Sequence, residues 1–378
     1  MTTVLLAGAF GQHNPGDEAL LRAFRLALAD YRIIATSAEP EATAAQHDCE
    51  AVPSGDVRSI ASHVRKSDAI VIGGGTVFKT LHSSTRRPAH ELLRNTSLLT
   101  LGARVSATPV LIVGVSAVPL PDRRARRLAR RVVRRADLLI LRDEPSARHL
   151  ADAGSPTPFR IGADPTWTLL GDATPVADVE STVVVMLSHL AASRDLASRI
   201  APGLRALRDD GLRVCLQPWQ VSGSAAHNGA DDLVFMHEIG QRIGGPVELL
   251  DAPADLDDAV RRAGTSRLVV GMRFHSLVAA AAAGTPFLAI DHESKLGALA
   301  RQFSQQSVAG DAKPAQLTTA MFSALSGVKP SASTAQHERA RAAEGFRLLR
   351  LLLEGGQTPE LEELTGLPLE PASWGHAG

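Results

Sequence analysis

An arginine and a histidine two residues apart are the part of this sequence best suited to chemistry. Arg273 and His275 follow an apolar run at 268–270, which predicts a buried strand, and precede an alanine-rich run at 277–283, which predicts a helix. Open α/β sheets bind ligands at the carboxyl ends of such strands. Arginine can bind a carboxylate or phosphate through its planar guanidinium, and histidine can transfer a proton near neutral pH. The pair therefore suggests an anionic substrate and a proton transfer.

A structural interpretation of the same pair stays open at this point. His275 could cap the helix, and Arg273 could form an ion pair with an acid elsewhere in the chain. The two residues alone do not distinguish a reaction centre from a capped helix with an ion pair. The other motifs of the sequence are needed for that distinction.

The composition is that of a globular protein large enough for two domains. The chain has 378 residues, of which 44% are hydrophobic and 21% charged, and this length exceeds one ordinary core. The 40 basic and 40 acidic side chains cancel, so we expect no nucleic-acid partner. Cys49 and Cys215 indicate neither a disulfide framework nor a zinc site. No charged leader or membrane-length apolar run is seen, so we predict a cytoplasmic protein.

Strand-like and helix-like segments alternate along most of the chain. This alternation predicts the α/β class, with two doubly wound Rossmann-like domains that face each other across a cleft. The predicted units are a first domain at 1–170, a linker at 171–180, a second domain at 181–308, a helical segment at 309–356 and a flexible tail at 357–378.

The first predicted strand, at residues 4–8, is followed by a glycine-rich loop. Gly11 permits a tight turn, and Asn14 and Asp17 lie at the start of the next predicted helix. The spacing matches neither the dinucleotide-binding fingerprint nor a Walker loop. Asn14 and Asp17 could hold an acceptor hydroxyl, or they could fix the loop by bonds to its backbone.

Three further strand ends carry polar candidates. At Gly73, Gly74 and Gly75, free backbone N–H groups could bind a phosphate or carboxylate, or a tight turn could let a helix pack closely. Arg142 follows another predicted strand and could bind an anion or pair with the acid after it. Asp164 lies at a later strand end and is interpreted as structural.

A highly basic helix is predicted between Arg123 and Arg135, a segment with eight arginines. Apolar residues at helical spacing predict one buried stripe and a broad basic face. The simplest interpretation is a solvated helix whose arginines pair with nearby acids. The alternative is contact with anionic lipid head groups or an anionic glycan. The lack of Trp and Phe weakens the membrane alternative, and no aromatic platform for nucleic acid accompanies the helix.

The order of these motifs resembles the polysaccharide pyruvyl transferase family, from about Thr3 to Phe303. Each motif alone is common, but the whole series in this order is specific. The matching residues are Asn14-Pro15-Gly16-Asp17-Glu18-Ala19, Gly73 to Gly75, Arg142-Asp143 with Ser146, Asp164-Pro165, Arg273 with His275, Gly284 with Pro286, and Lys295.

The resemblance implies a fold like that of the GT-B glycosyltransferases and a transferase activity. Members move the pyruvyl unit of phosphoenolpyruvate onto two hydroxyls of a sugar, forming a cyclic ketal and releasing phosphate. The acceptor would be a polysaccharide precursor, a glycolipid or a nucleotide sugar on the side of the first domain, with phosphoenolpyruvate on the second. Phosphoenolpyruvate is a substrate, so no cofactor is implied; no metal site is predicted, although Mg²⁺ and peripheral contact with a membrane stay open.

The resemblance and the residue types together assign roles. His275 is expected to act as general acid or base, assisted by Arg273. The donor has a carboxylate and a phosphate, which need cations and N–H groups. The expected donor ligands are Arg273, Lys295, Arg142, Gly73, Gly74 and Gly75, and the expected acceptor ligands are Asn14, Asp17 and Gly11.

Departures from the family pattern leave other functions open. Val77-Phe78-Lys79 stands where members often have a polar or acidic residue, and the segment from Ile290 to Lys295 lacks the family's Tyr and its spacing. One alternative is a nucleotide-sugar glycosyltransferase, in which Asp291 or Glu293 would hold the ribose. Another is a noncatalytic glycan-binding relative, which the intact cations and histidine of the second domain argue against.

Overall fold

The computed structural model describes most of the chain. The described residues are 1–81, 87–155, 159–172, 181–188, 195–221 and 232–356. Of the predicted linker only residues 171 and 172 are described, and the predicted tail at 357–378 lies outside the described residues.

A parallel sheet is built from the first part of the chain. Its strands are β1 (Thr3–Phe10), β2 (Arg32–Ser37), β3 (Glu50–Pro53), β4 (Ala69–Gly73), β5 (Thr76–Phe78), β6 (Val110–Ala117), β7 (Leu138–Leu141) and β8 (Arg160–Ile161). They lie in the order β3-β2-β1-β4-β6-β7-β8, and β5 pairs with the end of β6. The helices of this part are α1 (Pro15–Ala27), α2 (Pro40–His47), α3 (Val57–Lys66), α4 (Glu91–Val105), α5 (Arg123–Val133) and α6 (Glu144–Asp152), and a 3-10 helix, Pro165–Leu169, follows β8.

A second parallel sheet follows. Its strands are β9 (Thr182–Met186), β10 (Arg213–Leu216), β11 (Glu248–Leu249), β12 (Leu268–Gly271), β13 (Phe287–Asp291) and β14 (Gln306–Ala309), in the order β11-β10-β9-β12-β13-β14. The helices of this part are α7 (Leu196–Asp209), α8 (Asp232–Ile243), α9 (Leu256–Gly264), α10 (Phe274–Ala282), α11 (Ser294–Gln302) and α12 (Pro314–Leu325).

Burial on both faces explains the apolar strands of the two sheets. Every residue of β6 and of β9 is buried, as expected where helices cover both faces of a parallel sheet. The helices are amphipathic: α5 buries Ala125, Leu128 and Val132 and turns its arginines outward. The predicted α/β class with two doubly wound, Rossmann-like sheets is confirmed.

The last two helices pack against different sheets. Leu317 of α12 lies in the core of the second sheet. The final helix, α13 (Ala332–Leu353), returns to the first sheet, where Phe346 meets Phe24 edge to face at 5.0 Å. The region predicted as one helical segment at 309–356 therefore consists of two helices with separate packing partners.

The carboxyl ends of the strands of the two sheets face each other. The first turn of α1 lies close to α10 of the second sheet. Trp219 Nε1 donates to Asn14 Oδ1 at 2.9 Å, and Gln220 Nε2 donates to the Gln12 carbonyl at 2.8 Å. The residues predicted to carry chemistry converge at this junction.

Candidate functional site

His275 lies at the junction of the two sheets, in the first turn of α10. Its Nε2 lies 3.4 Å from Oδ2 of Asp164, which follows β8 of the first sheet. The ring packs on Gly16 in α1, where a Cβ would come within 2.0 Å of His275 Nδ1. Only glycine permits this approach. His275 is 8% exposed, so residues of the first sheet hold an imidazole that the second sheet supplies.

Two carboxyl groups near His275 have pKa values shifted in opposite directions. Burial raises the pKa of the Asp17 carboxyl, and the nearby His275 charge opposes this only in part. Burial also raises the pKa of Asp164, but His275, Arg142 and the hydroxyl of Thr166 outweigh it and hold that pKa well below its usual range. Asp164 is thus an ionised partner for His275, and Asp17 is suited to carrying a proton.

The predicted acceptor residues of the first loop are mostly used by the loop itself. Asn14 caps α1: its Oδ1 accepts the N–H of Gly16 at 3.1 Å, and its Nδ2 donates to Asp17 Oδ2 at 2.7 Å. The N–H of Gly11 donates to Glu18 at 2.9 Å, and its φ of +70° favours glycine. Gly11 and Asn14 therefore shape the loop, whereas Oδ1 of Asp17 accepts no hydrogen bond from the described residues.

The three glycines at the end of β4 have two different roles. A Cβ on Gly73 or Gly74 would come within 2.5 Å of a side chain of α1, so both residues let this helix pack on the sheet. The N–H of Gly74 donates to the Val113 carbonyl at 3.0 Å. The predicted ring of three free N–H groups is therefore incomplete, and Gly73 and Gly74 serve helix packing. Gly75 borders the site, since its Cβ would lie 4.0 Å from Asp17.

Arg142 follows β7 and is 4% exposed. Its Nε donates to Asp143 at 3.1 Å, and its Nη1 donates to Asp164 at 3.4 Å. The guanidinium lies 3.8 Å from the ring centroid of Phe274, a cation–π contact between the two sheets. Its Nη2 is buried without a hydrogen-bond partner among the described residues. A buried cationic donor left unpaired is costly, so Nη2 is suited to an anionic ligand.

Two lysines extend this cationic region. Nζ of Lys295 lies 2.5 Å from Glu293 and donates to Oγ1 of Thr76 at 3.2 Å, which again joins the two sheets. Burial lowers the pKa of Lys295; Glu293 opposes this, and the charges of Lys79 and Arg142 add to it. Burial raises the pKa of Glu293, but Lys295 and Lys79 outweigh it and bring that pKa to about 2. The three cations repel one another, so an anion bound between them would be stabilised.

Arg273 is held by a buried acid. Its Nε and Nη2 donate to the Asp232 carboxylate at 3.1 and 2.8 Å, and Asp232 is 0% exposed. The backbone N–H of Gln220 donates to the same carboxylate at 3.1 Å. The guanidinium fork that the sequence predicts for the donor is therefore used by Asp232. For Arg273 the structural interpretation, an ion pair, is the one observed.

Reasoning from the sequence misses three charged residues of this site. Asp164 carries the same signal as Arg142, a polar residue directly after a strand, but its Asp-Pro turn favours a structural interpretation. Lys79 is visible in the sequence only as a departure from the family pattern. Asp232 has no local signal, because its partner Arg273 is 41 residues away.

The space between these side chains is small. A cavity of about 30 Å³ is lined by Arg142, Asp143, Asp164, Trp167, Phe274, Lys295, Ala298, Leu299, Gln302 and Glu338. It has room for about one water molecule. A larger depression, of about 440 Å³, lies beside β14 and is lined by uncharged residues at 304–306, 322–324 and 326–328. That depression has no group suited to acid–base or anion chemistry.

In the described ranges of the chain, no group of three or more His, Cys, Asp or Glu side chains is arranged to hold a metal ion. No helix in that part of the chain has the length and apolar character needed to cross a membrane.

Several solved structures share the fold. The S. aureus MnaA–UDP structure matches with a TM-score of 0.63 at 12% identity, covering 95% of this chain and 98% of that one. A putative UDP-N-acetylglucosamine 2-epimerase from Listeria monocytogenes has the same score and coverage at 10% identity. Anabaena Alr3699/HepE in complex with UDP-glucose matches with a TM-score of 0.58 at 14% identity, covering 94% and 99%. At these identities the likeness concerns the fold, which is GT-B-like.

The sequence itself identifies the family. No curated protein matches the chain. A model of the polysaccharide pyruvyl transferase family matches residues 14–294, which include His275, Arg142 and both halves of the junction. The chain belongs to the polysaccharide pyruvyl transferase family.

Proposed function

We propose that this protein transfers the pyruvyl unit of phosphoenolpyruvate to two hydroxyls of a sugar in a polysaccharide or glycolipid precursor. The observation that carries the proposal is the buried His275–Asp164 pair beside an unpaired Arg142 donor, at the junction of two sheets. Family membership supports the transferase class. The donor and the order of bond changes are our inference.

The donor would lie in the cationic region. Phosphoenolpyruvate carries a carboxylate and a phosphate, and Arg142, Lys295 and Lys79 supply charges that the nearby acids only partly neutralise. Nη2 of Arg142 would donate to one oxygen of the donor. The bound donor anion would raise the lowered pKa of Lys295 and keep its ammonium group charged. Donor binding and protonation of Lys295 would therefore favour each other.

Two carboxyl groups and one imidazole would handle the protons. The donor methylene gains a proton and becomes a methyl group; one hydroxyl oxygen attacks the neighbouring carbon, phosphate leaves, and the second hydroxyl closes the ketal. Of the two hydroxyl protons, one replaces the proton given to the methyl group and one leaves with phosphate. Asp17, with its raised pKa, is suited to protonate the methylene. His275 would take the proton of an attacking hydroxyl, and ionised Asp164 would stabilise the imidazolium.

Substrate binding would need the two sheets to separate. The cavity of about 30 Å³ is far smaller than the roughly 300–1,000 Å³ typical of ligand sites. Polar contacts that join the two sheets, such as Lys295 to Thr76 and Trp219 to Asn14, are single hydrogen bonds. We infer that the cleft opens to admit both substrates and closes to exclude water.

Phosphate release tests the proposal. The purified protein is incubated with phosphoenolpyruvate and a panel of glycolipid, polysaccharide and nucleotide-sugar acceptors, and inorganic phosphate is measured. We expect release that requires both substrates, together with an acceptor whose mass increases by that of one pyruvyl ketal. Release of a nucleoside diphosphate from a sugar donor instead, with no use of phosphoenolpyruvate, would contradict the proposal and support glycosyl transfer.

A further inference from the structure

The side of the first sheet that carries α4 and α5 has a charge unlike that of the rest of the molecule. From residue 91 to residue 137 there are ten arginines and three acidic residues, although the whole chain has no net charge. The three acids already have partners: Glu91 pairs with Arg87, Asp122 caps α5 and lies 2.8 Å from His90, and Asp137 lies 4.0 Å from Arg104. This side is therefore strongly positive.

In the part of the chain that the structure describes, the exposed arginines of α5 and its C-terminal end have none of the acidic partners expected for a solvated helix. We call the exposed side chains Arg123, Arg124, Arg127, Arg131 and Arg134 the basic face. Within the described ranges, none of the five lies in ion-pair distance of a carboxylate. The positive charge of these five arginines is therefore available to an anionic partner outside the chain.

α5 cannot itself insert into an apolar phase. Its apolar stripe, including Leu128 and Val132, is buried in the core of the first sheet. The apolar contact would have to come from α4, which runs beside α5: Arg135 donates to the Ser97 carbonyl at 2.8 Å, and His90 at the start of α4 meets Asp122 at the start of α5. The two helices therefore present neighbouring outer faces.

The outer face of α4 is apolar. Leu98, Leu101 and Val105 are 57%, 42% and 82% exposed, and their spacing puts them on one side of the helix. We call these three residues the apolar stripe. In the described part of the chain nine large hydrophobic side chains are exposed, and three of them form this stripe. Arg94 and Arg104, also exposed, stand at its two ends.

We propose that the basic face and the apolar stripe form a docking surface for an anionic lipid bilayer. The arginines would lie among the head groups, and the leucines and valine would enter the boundary with the acyl chains, the two signals that stable peripheral binding requires. A second copy of this chain does not fit the surface, because a symmetric interface would bring two basic faces together. The proposal does not depend on the reaction proposed above.

Vesicle binding by the full chain tests this surface. Vesicles of phosphatidylcholine alone are compared with vesicles containing about 30% phosphatidylglycerol, whose surface attracts each arginine by about fivefold in affinity. We expect sedimentation with the anionic vesicles only, and weaker binding in about 0.5 M salt, where the Debye length falls to a few ångströms. Equal binding to both kinds of vesicle, or none to either, would overturn the proposal.

Matched variants locate the contact. Arg124→Gln/Arg127→Gln/Arg131→Gln should lower the affinity for anionic vesicles roughly 100-fold. The control Arg22→Gln/Arg213→Gln/Arg347→Gln removes the same charge from other exposed positions and should change it little. An equal loss in both triple variants would show an effect of net charge only and would refute the surface.

A second pair of variants tests the apolar stripe. Leu101→Ser/Val105→Ser should weaken binding by about tenfold or more through lost apolar burial, whereas Val234→Ser, at a residue 64% exposed on α8, should not. If Leu101→Ser/Val105→Ser instead changes a dimer into a monomer, and the parent protein ignores vesicles, the stripe is an interface between copies and the proposal fails.

Discussion

The ends of β7 and β12 each carry an arginine followed by a helix, yet the two arginines differ in what they can still bind. Arg142, after β7, keeps Nη2 buried and without a hydrogen-bond partner among the described residues. Arg273, after β12, has Nε and Nη2 bound by Asp232. The same residue type at the same position of the topology is thus open in one sheet and paired in the other.

The acids explain this difference. Asp164 lies 3.4 Å from both Arg142 and His275, so one carboxylate serves two groups. Asp232 faces Arg273 with both oxygens. Asp143 binds Nε of Arg142 and Asp164 lies near its Nη1, so the group left over at β7 is the buried Nη2 donor. At β12, Asp232 binds both Nε and Nη2 of Arg273. We therefore propose that the donor binds on the β7 side, and that the β12 side contributes mainly His275.

The largest effect is expected when the imidazole of His275, which lies at the junction of the two sheets, is removed. His275→Ala should lower turnover by about 10³- to 10⁴-fold, since general acid–base catalysis is lost. His149→Ala is a matched control, because His149 also lies between the sheets, 3.2 Å from Ser294, but is only partly buried. Phosphate release at saturating substrate measures both. Near-normal turnover of a folded His275→Ala protein would remove this residue from the mechanism.

Exchanging each arginine for lysine tests the comparison directly. Arg142→Lys should lower kcat/KM by about 10²- to 10³-fold, because the buried Nη2 donor is lost from an anion site. Arg273→Lys should lower it by only about tenfold, since its planar fork binds Asp232 and not the substrate. A larger loss in Arg273→Lys than in Arg142→Lys would reverse the assignment of the donor site.

The β12 side should respond more strongly in stability than in binding. Asp232→Asn leaves the partly buried charge of Arg273 unpaired and should reduce the free energy of unfolding by about 3 kcal/mol. Asp257→Asn, which removes an exposed ion pair with Arg22, should cost about 0–1 kcal/mol. Urea unfolding of both variants measures the difference. Equal losses would mean that Asp232 does little to hold Arg273.

The smallest expected effect is a pH dependence of stability, to which His292 of the second sheet and Asp164 of the first should contribute in different pH ranges. Burial lowers the pKa of His292 to about 4, with Lys295 and Arg273 adding to it against Glu293. Because the unfolded chain takes up this proton near pH 6.5 and the folded chain does not, stability falls as pH drops from 6.5 to 4. At pH 5 the loss should be about 2 kcal/mol.

Two variants test whether this loss of stability at low pH comes from His292. His292→Gln should remove the decrease between pH 7 and 5. Asp164→Asn should not remove it, because the lowered pKa of Asp164 makes its contribution fall only below about pH 4. Thermal unfolding at pH 7 and 5 separates the two. A decrease that persists in His292→Gln would assign the titration to another group.

Much of the fold could be predicted because its signals are local. Apolar runs such as 69–72 and 268–270 become the buried strands β4 and β12, and the alternation with helices indicates parallel sheets. His275 could be located because it lies in the first turn of the helix that follows a strand. The packing partner of the final helix could not be predicted, because nothing in the apolar pattern around Phe346 indicates a contact with Phe24.

The sequence by itself determined the two α/β units, the family, and the polar residues at the strand ends, because strand periodicity, turns and motif order depend on neighbouring residues. Only the tertiary structure decided which of those residues are free to act. Arg273 is paired across 41 residues and Lys295 reaches Thr76 across 219. Pairing and burial depend on side chains that meet only after folding. Among the described residues, they leave a buried donor without a hydrogen-bond partner on Arg142 but not on Arg273.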